Sequence, residues 1–168
     1  LYVRTGNTQM LKPININGVV EYALRLLNHT IKNGTYNFVL ELGQDIPNIN
    51  GDAMKIVQIL VNLIENAIHS LPDKSKKILV KTYAEKVNNQ SCVVLIVEDE
   101  GCGIKDDILP FIFDPFFTTR REMGGTGLGL PVVYGIVKEH NAEIHVETKK
   151  DIGTKFKILF PALIEEGV

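Results

Sequence analysis

Apolar residues along this chain change their period several times, and each change marks an element. Over residues 17–31, Val19, Val20, Ala23, Leu24, Leu26 and Leu27 recur at helical spacing, which predicts an amphipathic helix. Residues 38–42 read as a short strand. The polar, Pro-containing QDIPNINGD then leads to Asp52, a side chain suited to cap a helix over residues 53–70 that stops before Pro72. Residues 78–85 and 92–98 read as two strands joined by VNNQS, a hairpin-length link whose Asn residues suit a tight turn, so the pair is expected to be antiparallel. The second strand contains CVVLIV, apolar on both faces, and therefore belongs at the centre of a sheet. Further on, PVVYGIVKEH predicts a helix over about residues 127–140. In residues 143–148, Ile144 and Val146 alternate with Glu143, His145 and Glu147; in residues 154–160, Phe156, Ile158 and Phe160 alternate with Lys155 and Lys157. Paired across the turn KKDIG, these strands would set acids opposite lysines on one wet face. The fold class expected is an α/β (α+β) two-layer sandwich: a mixed, mainly antiparallel five-stranded sheet with about three helices on one face.

Composition narrows the setting. A chain of 168 residues, 45% hydrophobic and 23% charged, is long enough for one buried core and short for two. Residues 1–12 read as a lead-in from another domain, 13–162 as the domain and 163–168 as a tail. A formal charge of −2 with Lys and Arg evenly scattered leaves no basic stripe for nucleic acid. Cys92 and Cys102 are only two, ten residues apart on a strand and a Gly-rich loop, and make neither a disulfide framework nor a metal-ligand set, which points to a reducing, cytoplasmic location. The longest aliphatic run, VVLIV, is far short of the ~20 residues that span a bilayer, so no membrane contact is expected of this domain. The chain begins at Leu1, which implies a piece of a longer protein.

Four short stretches carry candidate chemistry. On the helix at 53–70, Gln58, Asn62 and Asn66 lie four apart with His69 three further on, all on one face. Such a row is either a solvated face or a set of amide oxygens for a hard cation such as Mg2+. In EDEGCGI, Asp99 ends the central strand and is trailed by Gly101 and Gly103. This is either an ordinary turn or a carboxylate that accepts an exocyclic amine while a flat ring lies against bare backbone. FIFDPFFTTRR makes a core edge around Asp114 and Pro115, or an apolar anchor of Phe113, Phe116 and Phe117 carrying Arg120 and Arg121 toward phosphate. GGTGLGL is neither a Walker loop nor GxGxxG. Its glycines permit close approach, and the helix that follows offers free amides to an anion.

In this order, an Asn-bearing helix, DxGxG, a Phe-rich turn, GxGxG and Gly153-Thr154 before the last strand, the chain resembles the catalytic and ATP-binding domain of sensor histidine kinases. The resemblance covers Gln58 to Phe156 and implies the Bergerat fold shared with gyrase-like and heat-shock-90-like ATPases. It implies ATP and Mg2+ as cofactors, with Asn66 the metal ligand and Asn62 beside the phosphates or metal-bound water. Asp99 is then the adenine-reading carboxylate, with Gly101, Gly103 and Ile104 beside the ring and Thr154 supporting it through water. Residues between Phe116 and Gly125, including Thr118, Thr119 and Arg120, would form a short lid similar to that of the nitrogen-regulator class. Gly125, Thr126, Gly127, Leu128, Gly129 and Leu130 would follow it onto the triphosphate. The resemblance further implies an upstream dimerisation and histidine-acceptor domain, a response regulator as partner of the parent protein, and a homodimeric parent.

Departures from the family pattern are informative. His69 stands where many relatives have a basic residue, and Asn141 where a Gly is common, a site that Asn tolerates. Hydrolases of this fold carry a Glu as general base where this chain has Asn62, and an amide cannot take a proton from water at neutral pH. His29, His69, His140 and His145 lack the acidic neighbour and downstream Pro of an acceptor box. A kinase domain is the reading this supports, with an ATP hydrolase or a nucleotide-sensing module as alternatives.

Overall fold

The computed structural model describes residues 11–115, 117 and 129–164. Its main sheet has five strands: β2 (Asn37–Leu42), β4 (Lys77–Val87), β5 (Gln90–Asp99), β6 (Glu143–Lys149) and β7 (Gly153–Pro161). They run in the order β2-β4-β5-β7-β6, with β2 parallel to β4 and every other pair antiparallel. The all-apolar strand is central, as its sequence requires. The β4–β5 hairpin closes through Asn88 and Asn89, both at positive φ, the geometry of a turn whose twist suits the flanking strands.

Helices α1 (Ile16–Leu26), α2 (Asn28–Gly34), α3 (Ala53–Ser70) and α4 (Gly129–Glu139) supply the other layer. Ile16, Val20 and Ala23 of α1, Ile56, Leu60, Leu63 and Ile64 of α3, and Val133 and Val137 of α4 are buried in one core. Val80, Val93, Leu95, Phe156, Ile158 and Phe160 meet them from the sheet. Pro131 lies in the first turn of α4, where its missing N–H breaks no helical bond.

Three features depart from the sequence expectation. The first helix is two, broken at Leu27 (φ −91, ψ 2), with Ile31 buried in the second and Gly34 against Ile68 of α3. Residues at the expected boundary of the domain and in the Pro-containing loop each form a short strand that the apolar pattern does not predict, β1 (Lys12–Ile14) and β3 (Ile49–Gly51), paired in a separate small sheet. The outer face of the main sheet is only partly wet, because Val94 and Ile96 are buried there beside Leu159, Tyr83 and Cys92. Lysine stems help to cover that patch: Lys81 lies over the Tyr83 ring, and Lys157 reaches Glu85 at 3.3 Å. The expected opposition of acid and lysine holds at Glu147 and Lys155, which face each other across β6 and β7 with 3.8 Å between charges.

Two polar links tie elements together, one between helix and sheet and one between helices. Asn17 donates to the Gly43 carbonyl (2.8 Å) and accepts from the Thr82 hydroxyl (2.6 Å), pinning the start of α1 to the sheet. His140, buried after α4, donates from Nδ1 to the Ile136 carbonyl and accepts at Nε2 from the Asp52 amide, 3.0 Å away. These partners fix its tautomer and join the end of α4 to the start of α3.

Candidate functional site

β5 delivers Asp99 to the end of the sheet, opposite Thr154 of β7 and beside the last turn of α3. The carboxylate is only 7% exposed. Its Oδ1 accepts from the Gly101 amide at 2.8 Å and from the Ser70 hydroxyl at 3.2 Å. Burial pushes the Asp99 carboxyl above its ordinary value, against the Gly101 amide, the Ser70 hydroxyl and the Thr154 amide, which all favour the charged form. A buried carboxylate so held is an acceptor ready for an external donor.

The glycines beside it have separate causes. Gly103 adopts φ +69, and a Cβ there would lie 2.2 Å from the Lys149 carbonyl oxygen, so the backbone itself demands Gly. At Gly101 a Cβ would lie 2.0 Å from the Ser70 oxygen. Thr148, at the end of β6, connects the rest: its hydroxyl accepts from the Ile104 amide (2.9 Å), donates to the Gly153 carbonyl (3.1 Å) and lies 2.9 Å from the Thr154 hydroxyl. Asp99, Gly101, Gly103, Ile104 and Thr154 are therefore brought together in one hydrogen-bonded corner.

On α3 the amide row divides. Asn62 accepts from Gln58 (2.9 Å) and donates to the Gly129 carbonyl at the start of α4 (3.1 Å). Asn66, one turn on and half-buried, makes no side-chain hydrogen bond to a described residue. Leu130 packs against the core, Phe113 lies 5.3 Å from the Tyr134 ring of α4, and Phe117 lies 5.8 Å from Phe111. Thr118, Thr119, Arg120, Gly125, Thr126, Gly127 and Leu128 fall outside the described residues, as do Phe116 and Arg121.

Two members of the corner escaped the sequence reading. Ser70 continues the four-residue spacing of Gln58, Asn62 and Asn66, whereas the stripe read from the sequence ends at His69. Thr148 keeps the inward parity of Ile144 and Val146, a polar residue where the alternation calls for an apolar one.

Residues 51–164 match the family model described as histidine kinase-, DNA gyrase B- and HSP90-like ATPase. The chain belongs to this family. A putative sensor protein of Shewanella frigidimarina is 36% identical over 147 residues, which are 88% of this chain and 22% of that protein. Sporulation kinase A of Bacillus subtilis is 41% identical over 113 residues, 67% of this chain and 18% of that kinase. The catalytic domain of histidine kinase ThkA superposes with a TM-score of 0.76 at 28% identity, covering 90% of this chain and 97% of that one. The chain is thus homologous to the ATP-binding catalytic domain of sensor histidine kinases, and it spans about a fifth of the length of these two relatives. Among the described residues, no helix is long and apolar enough to cross a membrane.

Proposed function

We propose that this domain holds ATP with Mg2+ and delivers the γ-phosphoryl group to a histidine on a segment outside the 168 residues, as the donor half of a two-component sensor kinase. The observation that carries the reading is the contrast within one site: a buried acceptor, Asp99, at one end, and on α3 the amides Asn62 and Asn66, with no carboxylate base among the described residues of that face, at the other. The residues present fit the ligands. Asp99 would accept the exocyclic amine of adenine, with Thr154 supporting it through water, and the amide of Asn66, which no described side chain engages, would supply an oxygen to Mg2+. Bound Mg2+ would neutralise charge on the phosphates, which is most of what phosphoryl transfer asks of a protein. Arg120, from the lid, would stabilise the γ-phosphoryl group.

The same amide at Asn62 argues against hydrolysis, since it cannot act as a base toward water. Glu65, the nearest carboxylate along α3, is exposed on another side of the helix. None of the chain's histidines has the setting of an acceptor, and His140 is buried with both ring nitrogens engaged. The acceptor and dimerisation helices would lie upstream, the parent would act as a homodimer on a response regulator, and this domain would work in the cytoplasm.

Incubation with radiolabelled ATP tests the proposal. The chain alone should bind ATP without labelling itself, and an added acceptor-helix fragment of its parent should gain acid-labile phosphate. Transfer should be slow, because separate pieces lose the effective concentration of a covalent link. Brisk phosphate release without acceptor would favour a hydrolase; tight binding with neither outcome would favour a nucleotide sensor.

A further inference from the structure

Ser70, like Thr148, belongs to this corner without being assigned by the motif pattern or the family resemblance, and of the two it is the one bonded to Asp99. Its hydroxyl lies 2.8 Å from the Ala67 carbonyl and 3.2 Å from Asp99 Oδ1. One hydroxyl has one hydrogen, so these two acceptors compete for it. An ionised Asp99 draws the hydrogen, because a bond to a charged acceptor is the stronger. A protonated Asp99 releases it to the helix carbonyl. The Gly101 amide donates to the same carboxylate oxygen, at 2.8 Å. With the Gly101 amide and the Ser70 hydroxyl both on Oδ1, and the Thr154 amide as the third donor to the carboxylate, Oδ2 keeps acceptor capacity for an incoming amine.

The space at Gly101 is explained by the same contact. A Cβ at Gly101 would lie 2.0 Å from Ser70 Oγ and 2.7 Å from both Ser70 Cβ and Asp99 Oδ1. The bare backbone there accommodates Ser70. The Cys102 amide also donates to the Ser70 carbonyl at 3.0 Å, so both the backbone and the side chain of Ser70 grip the loop that carries the glycines. The last turn of α3 is thereby locked to the carboxylate, and the same helix carries Asn66 one turn away.

We infer that Ser70 is a positioning and specificity residue for adenine: its hydroxyl fixes the rotation of the Asp99 carboxylate, so that Oδ2 meets the amino group of the base and rejects a keto oxygen. The inference rests on the reading of Asp99 as the adenine acceptor. The groups facing Asp99 are Ser70 from α3, Gly101 from the loop, Thr154 from β7 and, through its charge, Glu98 on its own strand. Ser70 and the two amides favour the ionised carboxylate, while Glu98 and burial oppose it. Removing the Ser70 hydroxyl therefore moves Asp99 toward its neutral form.

Calorimetric titration of the chain with ATP and with GTP, across a pH series, makes the test with Ser70→Ala, Ser70→Thr and Asp99→Asn beside the wild type. Ser70→Ala should weaken ATP about tenfold, the size of one hydrogen bond to a charged group, and narrow the gap between ATP and GTP. Its acid midpoint of ATP binding should move to higher pH than that of the wild type, a difference in which the titration of ATP itself cancels. Ser70→Thr, which keeps the hydroxyl, should restore both the affinity and the midpoint. If Asp99→Asn loses ATP while Ser70→Ala matches the wild type, the role of Ser70 is overturned and the adenine reading stands. A Ser70→Ala protein that binds more weakly with its midpoint and ATP-to-GTP ratio unmoved would equally overturn it, since that is mere loosening of α3. ATP binding indifferent to both Asp99→Asn and Ser70→Ala would overturn the adenine reading and the inference with it.

Discussion

The two ends of the site are built on opposite plans. At the end formed by Asp99, Gly101, Thr148 and Thr154, polar groups are bonded to one another before any ligand arrives, and strands β5, β6 and β7 hold them. At the other end a single helix face presents Asn62, steadied by Gln58 and the Gly129 carbonyl, and Asn66, which no described side chain engages. The difference suits the two halves of a nucleotide. A purine is rigid and is read by a few fixed donors and acceptors, so the ordering of its partners belongs in the fold. A metal-bound triphosphate brings its own charge and water and completes the shell of whatever oxygens face it. Preorganisation at the first end, and amides left to a metal-bound ligand at the second, are the testable content of this contrast.

The largest effect is expected at Gly103. Alanine there must tolerate φ +69 and a carbonyl oxygen at 2.2 Å, and the obstacle is backbone that cannot swing aside. Gly103→Ala should destabilise the fold by about 2 to 4 kcal/mol in denaturant unfolding. Asn66→Ala, which removes no side-chain hydrogen bond to a described residue, should leave unfolding within about 0.5 kcal/mol of the wild type. Equal losses would dissolve the contrast between the bonded corner and the amide face of α3.

Next in size is Asp99→Asn. Replacing a buried ionised acceptor by an amide removes a charged hydrogen bond of about 1.5 to 3 kcal/mol, so ATP affinity should fall roughly ten- to hundredfold. The discrimination against GTP should fall with it. A competition assay between the two nucleotides decides, and wild-type affinities that are already comparable would remove Asp99 from the role.

Asn66→Ala should cost less, roughly three- to tenfold in ATP affinity, the worth of one oxygen among several around a largely hydrated ion. The loss should be confined to titrations that contain magnesium. An equal loss in chelator would mean that Asn66 serves packing, and the second half of the contrast would need another owner.

The sequence was legible where one period or one residue type sufficed. Alternation fixed β6 and β7, the apolar run placed β5 centrally, and Asp52 marked the start of α3, where it accepts from the Met54 and Lys55 amides. The break at Leu27 was not legible because Leu27 and Ile31 keep helical spacing through it, so the apolar pattern carries no mark of the turn. Strands β1 and β3 were hidden because each has three residues, too few for a period. In the site, Asp99 and the glycines stand out as types, whereas Ser70 and Thr148 matter through partners 29 and 44 residues away, Asp99 and Ile104. Only a fold brings such pairs together. The glycines of GGTGLGL before Gly129 remain outside the described residues, and their proposed closeness to phosphate rests on the family resemblance.

The smallest effect is the pH dependence that the buried Asp99 imposes on folding. Burial raises its carboxyl above 3.8 in the folded chain, while the unfolded chain leaves it near that value. Between the two values the folded state binds more protons than the unfolded one, so unfolding free energy falls as pH rises. The contribution of Asp99 is fully present below the unfolded value and lost as pH rises through the folded one. Asp73, in the turn after α3, has the opposite sign. The Ser75 hydroxyl and amide hold its carboxyl below 3.8, so its contribution is present above that value and lost as pH falls through the folded one. Total stability therefore mixes both, and the informative quantity is the difference between the wild type and Asp99→Asn at each pH, in which Asp73 cancels. Without nucleotide, the wild type should gain on Asp99→Asn as pH is lowered from neutrality toward about pH 4. Thermal melts of the two proteins across that range provide the measurement. A flat difference would mean that Ser70, Gly101 and Thr154 already offset burial in full, and a difference of the other sign would mean that the corner attracts charge more strongly than its burial opposes it.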